Sequence, residues 1–197
     1  MKKQVVVIHG GDTFENYEEY MDFLRNFEID ISYYTTKKSW KVWLRDALGE
    51  DYEVILPEMP NAINAQYEEW KLWFEKLFSF LEDEVVLVGH SLGASFLAKY
   101  LSENRFPKKI NGLFLVSGVM DKDTQGYGLA SFAIKEKLNP QTENVYLYHS
   151  NDDPVVPFSE LEKFEKALPG SISRVFEDRK HFNQDQFPEL ANDIINL

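Results

Sequence analysis

The run Gly89-His90-Ser91-Leu92-Gly93 sets one hydroxyl between two glycines, directly after the apolar residues 85–88 and directly before a helix-like run, 94–101. A strand, Gly-x-Ser-x-Gly and a helix in that order make a nucleophile elbow, a tight turn that lifts the serine hydroxyl above a sheet edge. Glycines flank the serine because a Cβ at either position would collide with the neighbouring strand or helix. The chemistry this suits is attack by Ser91 on an acyl carbon. A serine hydroxyl is a weak nucleophile, so it needs a base, and the base needs an acid to orient it.

The remaining reactive side chains sort by position. On an elbow of this kind the chain order is serine, acid, histidine. Of the four histidines, His9 lies in the turn after the first strand and is expected to shape that turn, with substrate contact as a second possible role. His90 is the variable residue of the elbow and is expected to point away from the hydroxyl. His149 ends a strand and reads as a satisfied polar residue. His181 falls between the strand expected at 172–176 and the last helix, on a loop at the sheet's carboxyl edge, where a base belongs. The acid is expected after the preceding strand, where His149-Ser150-Asn151-Asp152-Asp153 supplies two adjacent candidates, Asp152 and Asp153. Asp121 and Asp123, one strand earlier, are alternatives. An oxyanion needs two backbone N–H donors. Leu92, after the nucleophile, supplies one, and Gly11 in the run His9-Gly10-Gly11-Asp12 is the expected second. The carboxylate of Asp12 opposes catalysis there unless it turns away or is paired.

These groups need a scaffold that converges them. Apolar, β-branched runs at 5–8, 52–56, 85–88, 113–116, 145–148 and 172–176 alternate with helical patterns at 15–27, 40–48, 62–81, 92–103, 158–168 and 187–196. The apolar runs show little polar alternation, as expected of parallel strands covered on both faces. The alternation predicts a three-layer α/β/α domain over 1–197 with a mostly parallel six-stranded sheet. Ser159 with Glu162 three residues on reads as a capping box, Pro169-Gly170 as a helix stop, and Pro188 as a first-turn proline. Residues 29–38 read as a connector above the sheet, and 119–142 as a candidate lid at the carboxyl end. Tyr67, Trp70, Trp73, Phe74, Leu77, Phe78 and Leu81 recur at helical spacing and read as a core stripe. Trp40 and Trp43, and Phe14, Tyr17 and Tyr20, read either as core or as the lining of an acyl pocket; Trp40 and Phe14 join His9 and Asp12 as substrate-binding candidates.

Composition narrows the field. With 33 acidic and 21 basic side chains the net charge is −12, which argues against nucleic acid or an anionic membrane surface as partner. There are no cysteines, so disulfides and thiolate metal sites are excluded. No phosphate-binding loop, dinucleotide fingerprint or metal-ligand cluster occurs in the sequence, so no cofactor and no metal are expected. Met-Lys-Lys-Gln leads into a four-residue apolar run, too short for a signal peptide's apolar core, and no stretch approaches a membrane span, so the expected compartment is the cytoplasm. The expected partner is a small-molecule acyl substrate, and the expected state a monomer or weak homodimer.

With His9-Gly10-Gly11, Gly89-His90-Ser91-Leu92-Gly93, Asp153-Pro154-Val155-Val156-Pro157 and His181 in this order, the chain resembles the α/β-hydrolase superfamily. Leu56-Pro57-Glu58-Met59-Pro60-Asn61, followed by Trp70, is similar to the compact serine hydrolases related to retinoblastoma-binding protein nine and the bacterial YdeN proteins. The resemblance covers nearly the whole chain. It implies a minimal α/β-hydrolase sheet lacking the first antiparallel strands, with Ser91, an acid and His181 at its carboxyl edge. The loop pattern Asp-x-x-Val-Pro of such hydrolases assigns the acid to Asp153 and leaves Asp152 as a turn residue. The implied activity is that of a small-ester hydrolase; thioesterase or peptidase chemistry on the same groups, or a binding protein that keeps the fold, are the alternatives. Two departures stand out. Lys180 occupies a position where glycine often precedes the histidine, and residues 12–39 are longer than the usual loop, enough for a partial cap.

Overall fold

Valines and isoleucine fill strand β1 (Lys3–Ile8), and successive side chains point to opposite faces of the sheet. Val5 and Val7 enter one apolar core, and Val6 and Ile8 the other. In the computed structural model, which describes residues 2–35, 38–120, 129–134 and 137–197, β1 joins β2 (Tyr52–Ile55), β3 (Val85–His90), β4 (Ile110–Val116), β5 (Val145–Ser150) and β6 (Ile172–Phe176). The six strands lie in the order β2-β1-β3-β4-β5-β6, and every pairing is parallel. Val85–His90 is buried along its whole length, whereas edge strand β6 leaves Ile172 and Val175 exposed.

Helices cover both faces. Helices α3 (Tyr67–Glu75), α4 (Leu92–Glu103) and α5 (Ser159–Ala167) pack Trp70, Phe74, Phe96, Leu97 and Phe164 against Val6, Ile8, Leu87 and Leu115. On the other face α2 (Trp40–Leu48) and α6 (Pro188–Ile195) bring Trp40, Leu44, Leu190 and Ile194 against Val5, Val7, Val86, Val88 and Phe114. Helix α1 (Tyr17–Asn26), capped by Asn16, buries no residue and carries an aromatic strip instead. Strand order reverses between β1 and β3, and ligands bind at the carboxyl ends of strands beside such a switch point.

The boundaries depart from the sequence reading at three places. The helix expected from 62 starts at Tyr67, because 62–65 is committed elsewhere: Asp12 N–H donates to the Ala62 carbonyl at 2.8 Å, and Ala65 N–H to that of Asp12 at 2.8 Å. The same segment ends at Glu75 and continues as a 3-10 turn, Lys76–Phe80, with Trp73 exposed at the edge of the stripe. Ser159 is the first residue of α5 rather than its cap; the Pro157 and Phe158 carbonyls close that turn by accepting from Glu160 and Leu161 N–H. The connector 29–38 contains a 3-10 turn, Ile31–Tyr34. Among the described residues no helix is long and apolar enough to cross a membrane. Asp121, Asp123 and parts of the 119–142 lid (121–128 and 135–136) lie outside the described residues.

Candidate active site

Ser91 follows the last residue of β3 and precedes the first residue of α4. Its backbone has φ 55° and ψ −125°, a left-handed conformation that costs a non-glycine residue energy and concentrates at functional turns. The turn is fixed by its surroundings: Ser91 N–H donates to the Val116 carbonyl at 2.8 Å, extending the β3–β4 ladder. A Cβ at Gly89 would stand 2.5 Å from the Gly93 carbonyl oxygen, and one at Gly93 would stand 2.4 Å from that of Ile8. Neither leaves room for a methyl group, so both glycines are required by contact. Leu92 opens α4, where a backbone N–H has no intrahelical acceptor and the helix dipole favours negative charge.

The loop after β1 lies against the serine. A Cβ on Gly10 would stand 2.9 Å from Ser91 Cβ and 3.3 Å from its Oγ. Gly11 presses on the 61–64 turn, where a Cβ would meet the Ala62 carbonyl oxygen at 2.4 Å. His9 holds this loop to the one after β2: Met59 N–H donates to His9 Nε2 at 2.9 Å, so that nitrogen carries the lone pair. Nδ1 faces the Gly10 carbonyl at 2.6 Å, and the ring stands edge-on to Trp70. Burial lowers the His9 pKa, which keeps the ring neutral. The Asp12 carboxyl is half-buried; burial raises its pKa, and the charge of His181 partly draws it back.

His181 and Asp153 meet at the carboxyl edge. His181 Nδ1 lies 2.9 Å from Asp153 Oδ2 and 3.1 Å from Oδ1. The Asp153 side chain is wholly buried, and its Oδ1 also accepts from Val155 N–H at 2.8 Å and Val156 N–H at 3.0 Å. Burial pushes this carboxyl up, but the His181 ring and the two N–H groups outweigh it and hold it below the usual carboxylate range. The His181 ring centroid is 5.1 Å from that of His90, which brings the imidazole to the residue preceding Ser91. When the ring is neutral, with its proton on Nδ1 and pointed at Asp153, His181 keeps a lone pair on Nε2.

The neighbouring polar groups brace this pair. Asp152 Oδ1 accepts from Ser150 Oγ–H at 2.6 Å and from Lys180 N–H at 2.8 Å, tying the loop after β5 to the one that carries His181. His149 donates from Nε2 to the Val156 carbonyl at 3.0 Å, under the Asp153 turn. Lys180 and Phe182, on either side of His181, have φ 48° and 52°. The position where glycine is often found is therefore left-handed here too. Trp40 is buried in the α2/α6 core, and its indole N–H donates to the Phe182 carbonyl at 2.8 Å. Phe14 packs on Tyr20 and Phe23 in the aromatic strip of α1. The structure thus draws Ser91, Leu92, the His9–Asp12 loop, Asp153 and His181 to one edge, and sets Trp40 beneath it and Phe14 beside α1. Asp152 accepts a backbone N–H, that of Lys180, as expected of a turn residue; sequence reasoning missed Ser150 and the Lys180 amide as its partners, because paired positive-φ positions around His181 leave no signature in residue type. Among the described residues no group of three His, Asp or Glu side chains is placed to hold a metal ion.

A sheet of this order with a serine elbow after β3 defines an α/β hydrolase. The family model for serine hydrolases matches residues 33–189, and the chain belongs to that family. YdeN of Bacillus subtilis (strain 168), which bears the name of a hydrolase, is 26% identical over 196 residues, covering 94% of this chain and 89% of that protein. The crystal structure of the B. subtilis ydeN gene product superposes with a TM-score of 0.75 and 19% identity, over 99% of this chain and 98% of that one. The esterase domain of a Rhodothermus marinus protein superposes at 0.64 and 14%, over 98% and 84%. A YdeN-like hydrolase from Pectobacterium atrosepticum superposes at 0.59 and 17%, over 98% and 92%. At these identities the superpositions speak for the fold.

Proposed function

We propose that Ser91, His181 and Asp153 act as a catalytic triad that hydrolyses small esters. The observation that carries this reading is the buried Asp153–His181 pair, whose imidazole lies against His90, the residue before a serine in strained elbow geometry. His181 Nε2 takes the Ser91 proton as Oγ attacks the acyl carbon. The N–H groups of Gly11 and Leu92 receive the negative charge that develops on the carbonyl oxygen. Asp153 fixes the Nδ1–H tautomer and stabilises the imidazolium. His181 then gives its proton to the departing alkoxide, leaving an acyl-Ser91 ester. Water loses a proton to Nε2 and attacks this ester, the acid departs, and Ser91 regains its proton. An alkoxide departs more readily than an amine anion, so an ester asks less of this equipment than an amide does.

The test is labelling with a fluorophosphonate, read by intact mass on the wild type beside Ser91→Ala, followed by a panel of short p-nitrophenyl esters. A single adduct on the wild type alone, with ester turnover abolished in Ser91→Ala, is the expected result. A folded wild type that takes no adduct would overturn the reading and move the weight to a binding protein that keeps the hydrolase fold.

A further inference from the structure

We propose that His90, the variable residue of the elbow, is a positioning residue that fixes the backbone of His181, with Trp40 as its companion. The inference rests on the triad reading above and adds a residue that the mechanism does not use. The carbonyl of His181 lies 2.8 Å from His90 Nε2. A carbonyl oxygen only accepts, so His90 carries its proton on Nε2 and donates it. The next carbonyl along, that of Phe182, accepts the Trp40 indole N–H at 2.8 Å. Two successive carbonyls of the base loop are therefore each held by a ring N–H from below.

The two rings also hold one another. Trp40 stands edge-on to His90 with centroids 5.9 Å apart, and edge-on to Phe187 at 5.5 Å. Phe182 packs on Phe187 at 5.1 Å and on Phe176 at 5.5 Å. His90 and Trp40 are 4% and 1% exposed, so neither ring has freedom to swing away and no water competes for the bonds. Burial, then the charge of Lys41, hold the His90 pKa far down, and a neutral ring is what a lone Nε2–H donor requires.

The loop needs such a hold. Lys180 and Phe182 both sit at positive φ, so the backbone at His181 is turned in a way that its own residue types do not favour. His90 and Ser91 are adjacent, so the bond at His90 references the base to the nucleophile through one peptide unit. Asp153 orients the imidazole about its ring; His90 fixes where the ring is attached.

The experiment compares His90→Gln, His90→Asn and His90→Leu with the wild type, by steady-state kinetics on a p-nitrophenyl ester and by thermal melting. Glutamine can carry an amide N–H as far as Nε2 reaches, whereas asparagine stops short and leucine has no donor. His90→Leu and His90→Asn are expected to lose kcat by about 10²-fold with KM little changed, the scale of an ångström-size misplacement of a catalytic group. His90→Gln is expected to recover most of that loss. Trp40→Phe, which keeps an aromatic ring and loses the N–H, is expected to lower kcat in the same sense. Equal rates in His90→Gln and His90→Asn would overturn the hydrogen-bond role, and that pair decides the matter even if His90→Leu does not fold. Wild-type kcat in His90→Leu would overturn the proposal alone, leaving the triad standing. A wild type inert to fluorophosphonate would instead overturn the triad and this proposal with it.

Discussion

Asp153 Oδ1 accepts from two backbone N–H groups in addition to the His181 ring, while the neighbouring Asp152 carboxylate serves the Ser150 hydroxyl and the Lys180 amide. The first arrangement sets a tautomer, the second holds a loop. Asp153→Asn is accordingly expected to lower kcat on a p-nitrophenyl ester by about 10³–10⁴-fold, because an amide stabilises the wrong tautomer and no imidazolium. Asp152→Asn keeps an oxygen that accepts from Lys180 N–H and is expected to cost about tenfold or less, on the scale of a supporting group. The reverse order would reassign the acid. At this scale the sequence is informative where residue type carries the signal: Ser91 between glycines that the contacts require, and Asp153 and His181, which the structure pairs. It does not give the hydrogen-bond partners of Trp40 and His90, which are backbone carbonyls 142 and 91 residues away. A carbonyl is present at every position, so the acceptor leaves no trace in the amino-acid types.

The elements follow from local patterns wherever burial sets the period. Residues 40–48 and 92–103 are helical as their apolar spacing predicts, and the six apolar runs become six strands. The failures come where backbone groups find partners outside the element. Residues 62–65 pair with Asp12 instead of beginning a helix, and two carbonyls do for α5 what Ser159 was expected to do. The loop carrying His181 falls where the sequence places it but is strained. Lys180 holds φ 48° with no glycine's freedom, a conformation that costs an ordinary residue about 1–2 kcal/mol. Its side chain is not needed for the Asp152 contact, which uses the amide N–H. Lys180→Gly is therefore expected to leave ester turnover near wild type and to be neutral or stabilising by up to about 1 kcal/mol, after glycine's greater freedom in the unfolded chain is set against the relief. Urea unfolding checks this, and a clear loss of stability would show that the Lys180 side chain contributes contacts that outweigh the strain.

For the molecule as a whole, acid stability turns on its buried carboxylates. Asp193 on α6 accepts from Tyr148 Oη–H at 2.6 Å and from Arg174 at 2.8 and 3.0 Å, pinning the last helix to β5 and β6. Burial pushes the Asp193 carboxyl up, and Arg174 and Tyr148 together bring it below its ordinary value; Asp153 is lowered as well. A carboxylate lowered in the folded state binds fewer protons there than when unfolded. Its contribution is complete above the unfolded pKa of about 3.9 and is lost as pH falls through the folded value. Asp12, raised by burial, works in the opposite sense and weakens the fold once it ionises. Unfolding free energies measured in urea from pH 7 to pH 3 are expected to fall below about pH 4, with a shallower fall in Asp193→Asn. An unchanged slope in that variant would remove Asp193 from the acid response.

The parallel sheet has a consequence in time. No two of its strands join through a hairpin, and β1 must find β3, with Val5 facing Val86, across the whole of α1, α2, β2 and α3. Such pairings spend loop entropy before any contact repays it. On the ribosome β1 emerges well before β3 and has only β2, α2 and α3 to cover it in the meantime, so the central pairing, and with it the strained serine turn at the end of β3, forms late.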